Sequence, residues 1–119
     1  MTETPLVRLS RVPSAPVAIL LCLDMSEMDS YPDEKRQQAE RTMAMQSVAA
    51  AGSQLLLAAH AEGLGGVWVC SPLFVQEIIQ KTLNLSAAWE PQAMYFIGYT
   101  DKTPRLKEMK DLSGLVRML

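Results

Sequence analysis

Hydrophobic positions along this chain fall into blocks of different period. Pro16–Asp24, PVAILLCLD, is a continuous apolar run. Such a run predicts a strand covered on both faces. Met25–Pro32 breaks the pattern with Asp, Ser and Pro, so it reads as a loop. Asp33–Arg41, DEKRQQAER, is charged and helix-favouring, with Asp33 placed to cap it. From Val48 to Ala61 the residues are apolar or small almost all round, with Ser53, Gln54 and His60 as the polar exceptions. A helix with no polar face is expected to be buried on every side. The pattern leaves open whether the helix runs unbroken through Thr42–Gln46. Gly63-Leu64-Gly65-Gly66 must then stop it, because glycine readily takes the left-handed C-cap conformation.

Val67-Trp68-Val69-Cys70 reads as a short strand whose end opens at Ser71-Pro72. Pro72 sits where a first helical turn would begin, and Phe74–Lys81 follows as a short amphipathic helix. Asn84–Glu90 is a connector carrying Trp89. Pro91 starts a third strand, Gln92–Tyr99, in which Ala93, Tyr95, Ile97 and Tyr99 alternate with Met94, Phe96 and Gly98. The tail from Thr100 is basic in places and ends in apolar Leu115, Val116, Met118 and Leu119. The expected architecture is α+β, a short mixed sheet around a buried central helix. Its expected layout is an extended lead-in over 1–15, a domain over 16–108 and a tail over 109–119. Three strands leave sheet edges, and the greasy helix also needs cover. One copy has too little material for both, so self-association is expected.

Composition narrows the classes. At 119 residues the chain is one domain with a modest core. A net charge of −2 gives no nucleic-acid footprint. Cys22 and Cys70 lie in apolar runs without CxxC spacing, and read as packed, reduced thiols of a cytoplasmic protein. No secretory h-region is visible at the N-terminus, and the apolar runs fall short of the roughly 20 residues a membrane span needs.

Chemistry-bearing residues are sparse. His60 is the only histidine and has no metal-spaced partner, so it reads as a packed core or interface residue and no metal site is expected. No residue obviously activates Cys70 as a nucleophile. The eight methionines suit either core gap-filling or an adaptable binding surface. The glycine turn ends a helix and begins a strand, the reverse of the order a phosphate loop requires. Arg105 and Lys107 suit either a phosphate clamp or a solvated tail.

Function enters through a resemblance. The run EKRQQAERTMAMQSVAAAGSQLLLAAHAEGLGGVWVCSPLF, followed by LNLSAAWEPQAMYFIGY, resembles the C-terminal half of the FMN-dependent nitroreductase family. Its motifs come in the family order: the LLLAAHAEGLG helix-turn, the strand end after Trp68, the following LF, WEP, and IGY. The likeness is nearest to the branch containing the C-terminal domain of the glutamyl ligase for the deazaflavin coenzyme (factor 420).

The resemblance implies an interdigitated homodimer with FMN at the interface. It also implies NAD(P)H-dependent reduction of nitroaromatics, quinones or related acceptors in a ping-pong cycle. The flavin carries the hydride, so no catalytic side chain is expected. By position, Val69, Cys70 and Ser71 would face the flavin ring through backbone N–H groups. Arg105, by residue type, or Lys107, by spacing, would hold the FMN phosphate. Family members open with an arginine-rich segment that grips the phosphate and ribityl chain, and this sequence shows no counterpart, so a truncated nitroreductase-like fold is expected. Two other roles stay open: a non-catalytic dimeric or ligand-binding remnant, and a function in deazaflavin glutamyl ligation.

Overall fold

The computed structural model describes residues 15–119. The expected lead-in therefore lies outside the described residues except for its last position. Strand β1 (Val17–Leu23) leads through a loop to helix α1 (Glu34–Ala61). Strand β2 (Gly65–Val69), a 3₁₀ turn over Ser71–Phe74 and helix α2 (Gln76–Thr82) follow. Strand β3 (Glu90–Gly98) completes the sheet, and one further 3₁₀ turn, Leu112–Gly114, lies in the tail.

The charged and apolar halves of the predicted helix are one helix of 28 residues. Thr42–Gln46 contains neither Gly nor Pro, so nothing there breaks the ladder. Asp33 caps it as expected, its carboxylate accepting from the Arg36 N–H at 2.9 Å. At the other end Gly63 adopts φ +79°. There the Gly63 N–H donates to the His60 carbonyl and the Leu64 N–H to the Ala59 carbonyl. This pair of bonds closes the last turn in a Schellman motif, which glycine enters without a Cβ penalty.

The sheet has the order β1-β3-β2, and both pairings are antiparallel. Where a mixed sheet was expected, the described strands are antiparallel throughout, because the two edge strands both run against β3. β3 is the centre: Pro91, Ala93, Tyr95 and Ile97 are buried and alternate with half-buried residues, as the period-two pattern required. Tyr99 lies beyond the strand end and is exposed.

Only one face of this sheet receives the helix, and that limits burial. Glu40, Ala44, Gly52 and Ala59 form the buried stripe of α1, with Val48, Leu55 and Leu56 half-buried along it. The opposite side is open, with Leu57 at 69 % exposure, so the described residues do not bury the helix on every side. β1 is likewise an edge strand with Val17 and Ala18 exposed, and is not covered on both faces. Among the described residues, nineteen large hydrophobic side chains are exposed against six buried hydrophobics. That imbalance leaves a large apolar surface uncovered by the described residues.

Candidate functional site

β2 lies at the sheet edge and its last rung pairs Val69 with Met94. Beyond it the backbone turns at Cys70 (φ −96°, ψ 3°) into the Ser71–Phe74 turn. The Leu73 N–H donates to the Cys70 carbonyl at 3.1 Å, and Pro72, buried, fills the second position of the turn. Proline suits that place because its fixed φ is helical and it lacks an N–H that the turn could not use. Val69 is half-buried, whereas Cys70 and Ser71 are exposed. Cys70 is therefore not the packed thiol expected from its apolar neighbours. The strand ends one residue before it, and the described residues leave it exposed. Cys22 is half-buried, and burial pushes its thiol pKa up.

Trp68 and Tyr95 are register partners on the same face, their ring centroids 5.6 Å apart at 43°. Tyr95 is wholly buried, and desolvation raises its phenol pKa, with the nearby Cys70 a smaller cause. Arg105 and Lys107, the predicted phosphate ligands, are both exposed, in the stretch between β3 and the last 3₁₀ turn that contains no helix or strand. The structure thus gathers Val69, Cys70 and Ser71 at one strand tip, while no regular element carries Arg105 or Lys107 to it. His60 is exposed near the end of α1 and not in the core of this chain.

The described residues form open grooves, two of which lie near the ends of α1 and β2. One of about 480 Å³ is lined by Met25, Tyr31, Asp33, Gln37 and Arg41 among others, between the β1–α1 loop and the start of α1. The other, about 340 Å³, is lined by Leu73, Phe74, Val75, Gln76, Glu77 and Ile78, just past the strand tip. Neither contains any of the five predicted site residues. Phe74 is 87 % exposed on the second groove.

Sequence reasoning missed the polar framework at the start of β3. Arg41 grips Glu90 with both guanidinium arms, at 2.8 and 2.9 Å. The guanidinium bonds hold the Glu90 carboxyl below its usual range, with burial opposing them. Gln76 and Gln80 on α2 donate to the Pro91 and Trp89 carbonyls. The WEP motif was visible in the sequence, but nothing local to it names these partners.

By chemical type the five residues suit a flavin nucleotide, although the structure does not bring the two cations to the strand tip. Cys70 and Ser71 present backbone at an exposed tip, Val69 is apolar, and Arg105 and Lys107 are cations suited to a phosphate. No carboxylate stands among the five. No cluster of three His, Cys, Asp or Glu side chains among the described residues could hold a metal ion. No helix among them is long and apolar enough to cross a membrane.

The fold is shared with solved structures. A protein of Bacteroides fragilis NCTC 9343 superposes with a TM-score of 0.66 at 18 % identity, over 87 % of this chain and 45 % of that one. An FMN-dependent nitroreductase from Clostridium difficile R20291 gives a TM-score of 0.59 at 20 % identity, over 79 % of this chain and 51 % of its own. A nitroreductase family protein from Clostridium difficile 630 gives 0.55 at 25 % identity, over 98 % and 69 %. The chain spans about half the length of the first two. The sequence model of the nitroreductase family matches residues 2–99. With that match covering most of its length, the chain belongs to the nitroreductase family.

Proposed function

We propose that this chain supplies one wall of an FMN site in an NAD(P)H-dependent oxidoreductase, and that a second copy of the chain completes the site. The observation that carries this reading is the tip of β2, where Val69 ends an edge strand and Cys70 and Ser71 are exposed among the described residues. Family membership supports a flavin as the occupant, and the C. difficile R20291 relative is FMN-dependent. The uncovered side of α1 supports a homodimer, since a two-fold pair would cover both copies with one kind of contact.

In this reading the backbone N–H groups of Cys70 and Ser71 orient the polar edge of the ring, and Val69 packs beside it. Arg105 and Lys107 neutralise the phosphate through charge-assisted hydrogen bonds. The bound flavin supplies the hydride chemistry, while the chain contributes binding, orientation and exclusion of water. A visible absorbance titration of the purified protein with FMN tests the proposal. Flavin bands that shift and saturate at micromolar FMN, bleaching on addition of NADH or NADPH, are expected. A colourless protein with no micromolar affinity overturns it.

A second reading is a dimeric ligand-binding remnant without redox activity. One observation favours it: the two grooves described above, both formed by described residues, are lined by none of Val69, Cys70, Ser71, Arg105 and Lys107. A saturable flavin spectrum that NAD(P)H does not bleach would select it.

A further inference from the structure

Residues 70–75 form a short arch with both feet on β3. One foot is the last rung of β2, Val69 against Met94. The other is Gln76, whose side-chain amide donates to the Pro91 carbonyl at 2.7 Å. Met94 and Pro91 are three positions apart on one strand, so the arch spans a short, stiff base. β2 ends opposite Met94, and the stretch of β3 that precedes it has no strand neighbour on that side among the described residues. Gln76 meets the Pro91 carbonyl there in place of a ladder bond.

The base is itself held. Arg41 ties Glu90 to α1, and Gln80 donates to the Trp89 carbonyl at 2.9 Å. Within the arch, the Leu73 N–H bonds to the Cys70 carbonyl and the Val75 N–H to the Pro72 carbonyl. A continuous set of hydrogen bonds therefore runs from the anchored start of β3, through Gln76, back to the strand tip. The Gln76 donor ties the end of the 70–75 segment directly to β3, while the Gln80 bond to the Trp89 carbonyl holds α2 one turn further on.

We infer that Gln76 is a positioning residue for the tip of β2: its amide closes the arch and aims the backbone of Cys70 and Ser71. The functional consequence rests on the flavin reading above, whereas the closure of the arch is measurable with no flavin present.

The test compares the full chain with Gln76→Glu, which keeps the size but loses the donor, and with Gln76→Met, which removes both polar atoms at similar length. Amide hydrogen exchange of Leu73 and Val75 is followed by NMR, with the central-strand amide of Tyr95 as reference. FMN and riboflavin are titrated in parallel by visible absorbance. Exchange at Leu73 and Val75 should accelerate about tenfold, the scale of one lost hydrogen bond, with Tyr95 unchanged. FMN and riboflavin should weaken together, because the ring wall moves and the phosphate contacts do not. Unchanged exchange at Leu73 and Val75 in both variants overturns the inference. So does equal acceleration at Tyr95, which would mark a general structural role, and so does loss of FMN with riboflavin binding retained. If the unmodified chain binds no flavin, the reading of the site fails, and the exchange measurement still decides the arch.

Discussion

The phenol of Tyr95 is seated against the backbone of Gly52, so close that a methyl group at position 52 would overlap the hydroxyl oxygen and stand 2.7 Å from Cζ. The helix can lie this near the central strand only where it has no side chain. Gly52→Ala should therefore destabilise the fold despite alanine's better helix propensity. Overpacking of about 3 kcal/mol, the upper end for so short a contact, outweighs a propensity gain of about 1 kcal/mol. The expected net loss is about 2 kcal/mol by urea unfolding. Adding Tyr95→Phe should recover part of it, since the clash with the hydroxyl disappears. Strictly additive effects in that double-mutant cycle would show that the two residues do not share the notch.

Tyr95 also predicts a distinct alkaline behaviour. Its hydroxyl is buried and has no hydrogen-bond partner among the described residues, and burial raises its pKa above the ordinary value. A group whose folded pKa is raised stabilises the fold below the unfolded pKa, near 10, and loses that contribution as pH rises through the folded value. Tyr95→Phe should thus flatten the decline of stability above about pH 10 relative to the unmodified chain. At pH 7 the same change removes an unsatisfied buried hydroxyl and should stabilise by about 1 kcal/mol. Parallel pH profiles for the two proteins would sink the assignment.

How much of this was legible in the sequence depended on the range of each signal. The alternation of Ala93, Tyr95 and Ile97 fixed the inner face of β3, because a strand period is local. Gly63 marked the end of α1 for the same reason, its left-handed backbone being a property of one residue. Arg41 and Glu90 are 49 positions apart, and no local pattern joins them. Cys70 looked packed because its neighbours are apolar, yet its exposure follows from β2 being an edge that ends at Val69. At the candidate site a motif pointed to the end of β2, and the structure shows that strand ending at Val69. The placement of Arg105 and Lys107 stayed open, because no hydrophobic period governs residues 99–111.

The Arg41–Glu90 pair should make stability fall in acid. The bidentate guanidinium holds the Glu90 carboxyl below its usual range. A carboxylate with a lowered folded pKa contributes stability above its unfolded pKa, about 4.3, and loses it as pH falls through the folded value. Both side chains are about one-third exposed, so water screens the pair and the contribution is about 1 kcal/mol. Arg41→Met should cost that amount at pH 7 and nearly nothing at pH 2, as read from urea midpoints. A cost that does not change with pH would assign the effect to packing of the Arg41 stem.

At the candidate flavin site, backbone and cation roles separate by mutation. Cys70→Ala should leave FMN affinity nearly unchanged, because the predicted contact is a main-chain N–H. Replacing Arg105 and Lys107 together with alanine should weaken FMN about tenfold to a hundredfold, the scale of one or two hydrogen bonds to a charged group. Riboflavin, which lacks the phosphate, should lose little. Equal losses for FMN and riboflavin would remove both residues from the phosphate site.

The proposed homodimer turns on the open side of α1. Leu57 projects from that side, away from the buried stripe, so a charge there leaves the chain's own core intact. Covering a leucine of this kind stabilises an interface by about 1.5–3 kcal/mol per copy. Leu57→Glu replaces that gain with a carboxylate that would have to be desolvated against its two-fold mate. In light scattering coupled to gel filtration, the unmodified protein should run at twice 13.2 kDa. Leu57→Glu should run at half that mass with its far-ultraviolet circular dichroism preserved, and should lose FMN affinity if the site spans both copies. A monomeric unmodified protein would refute the dimer outright. A Leu57→Glu variant that stays dimeric would move the interface off this face of α1.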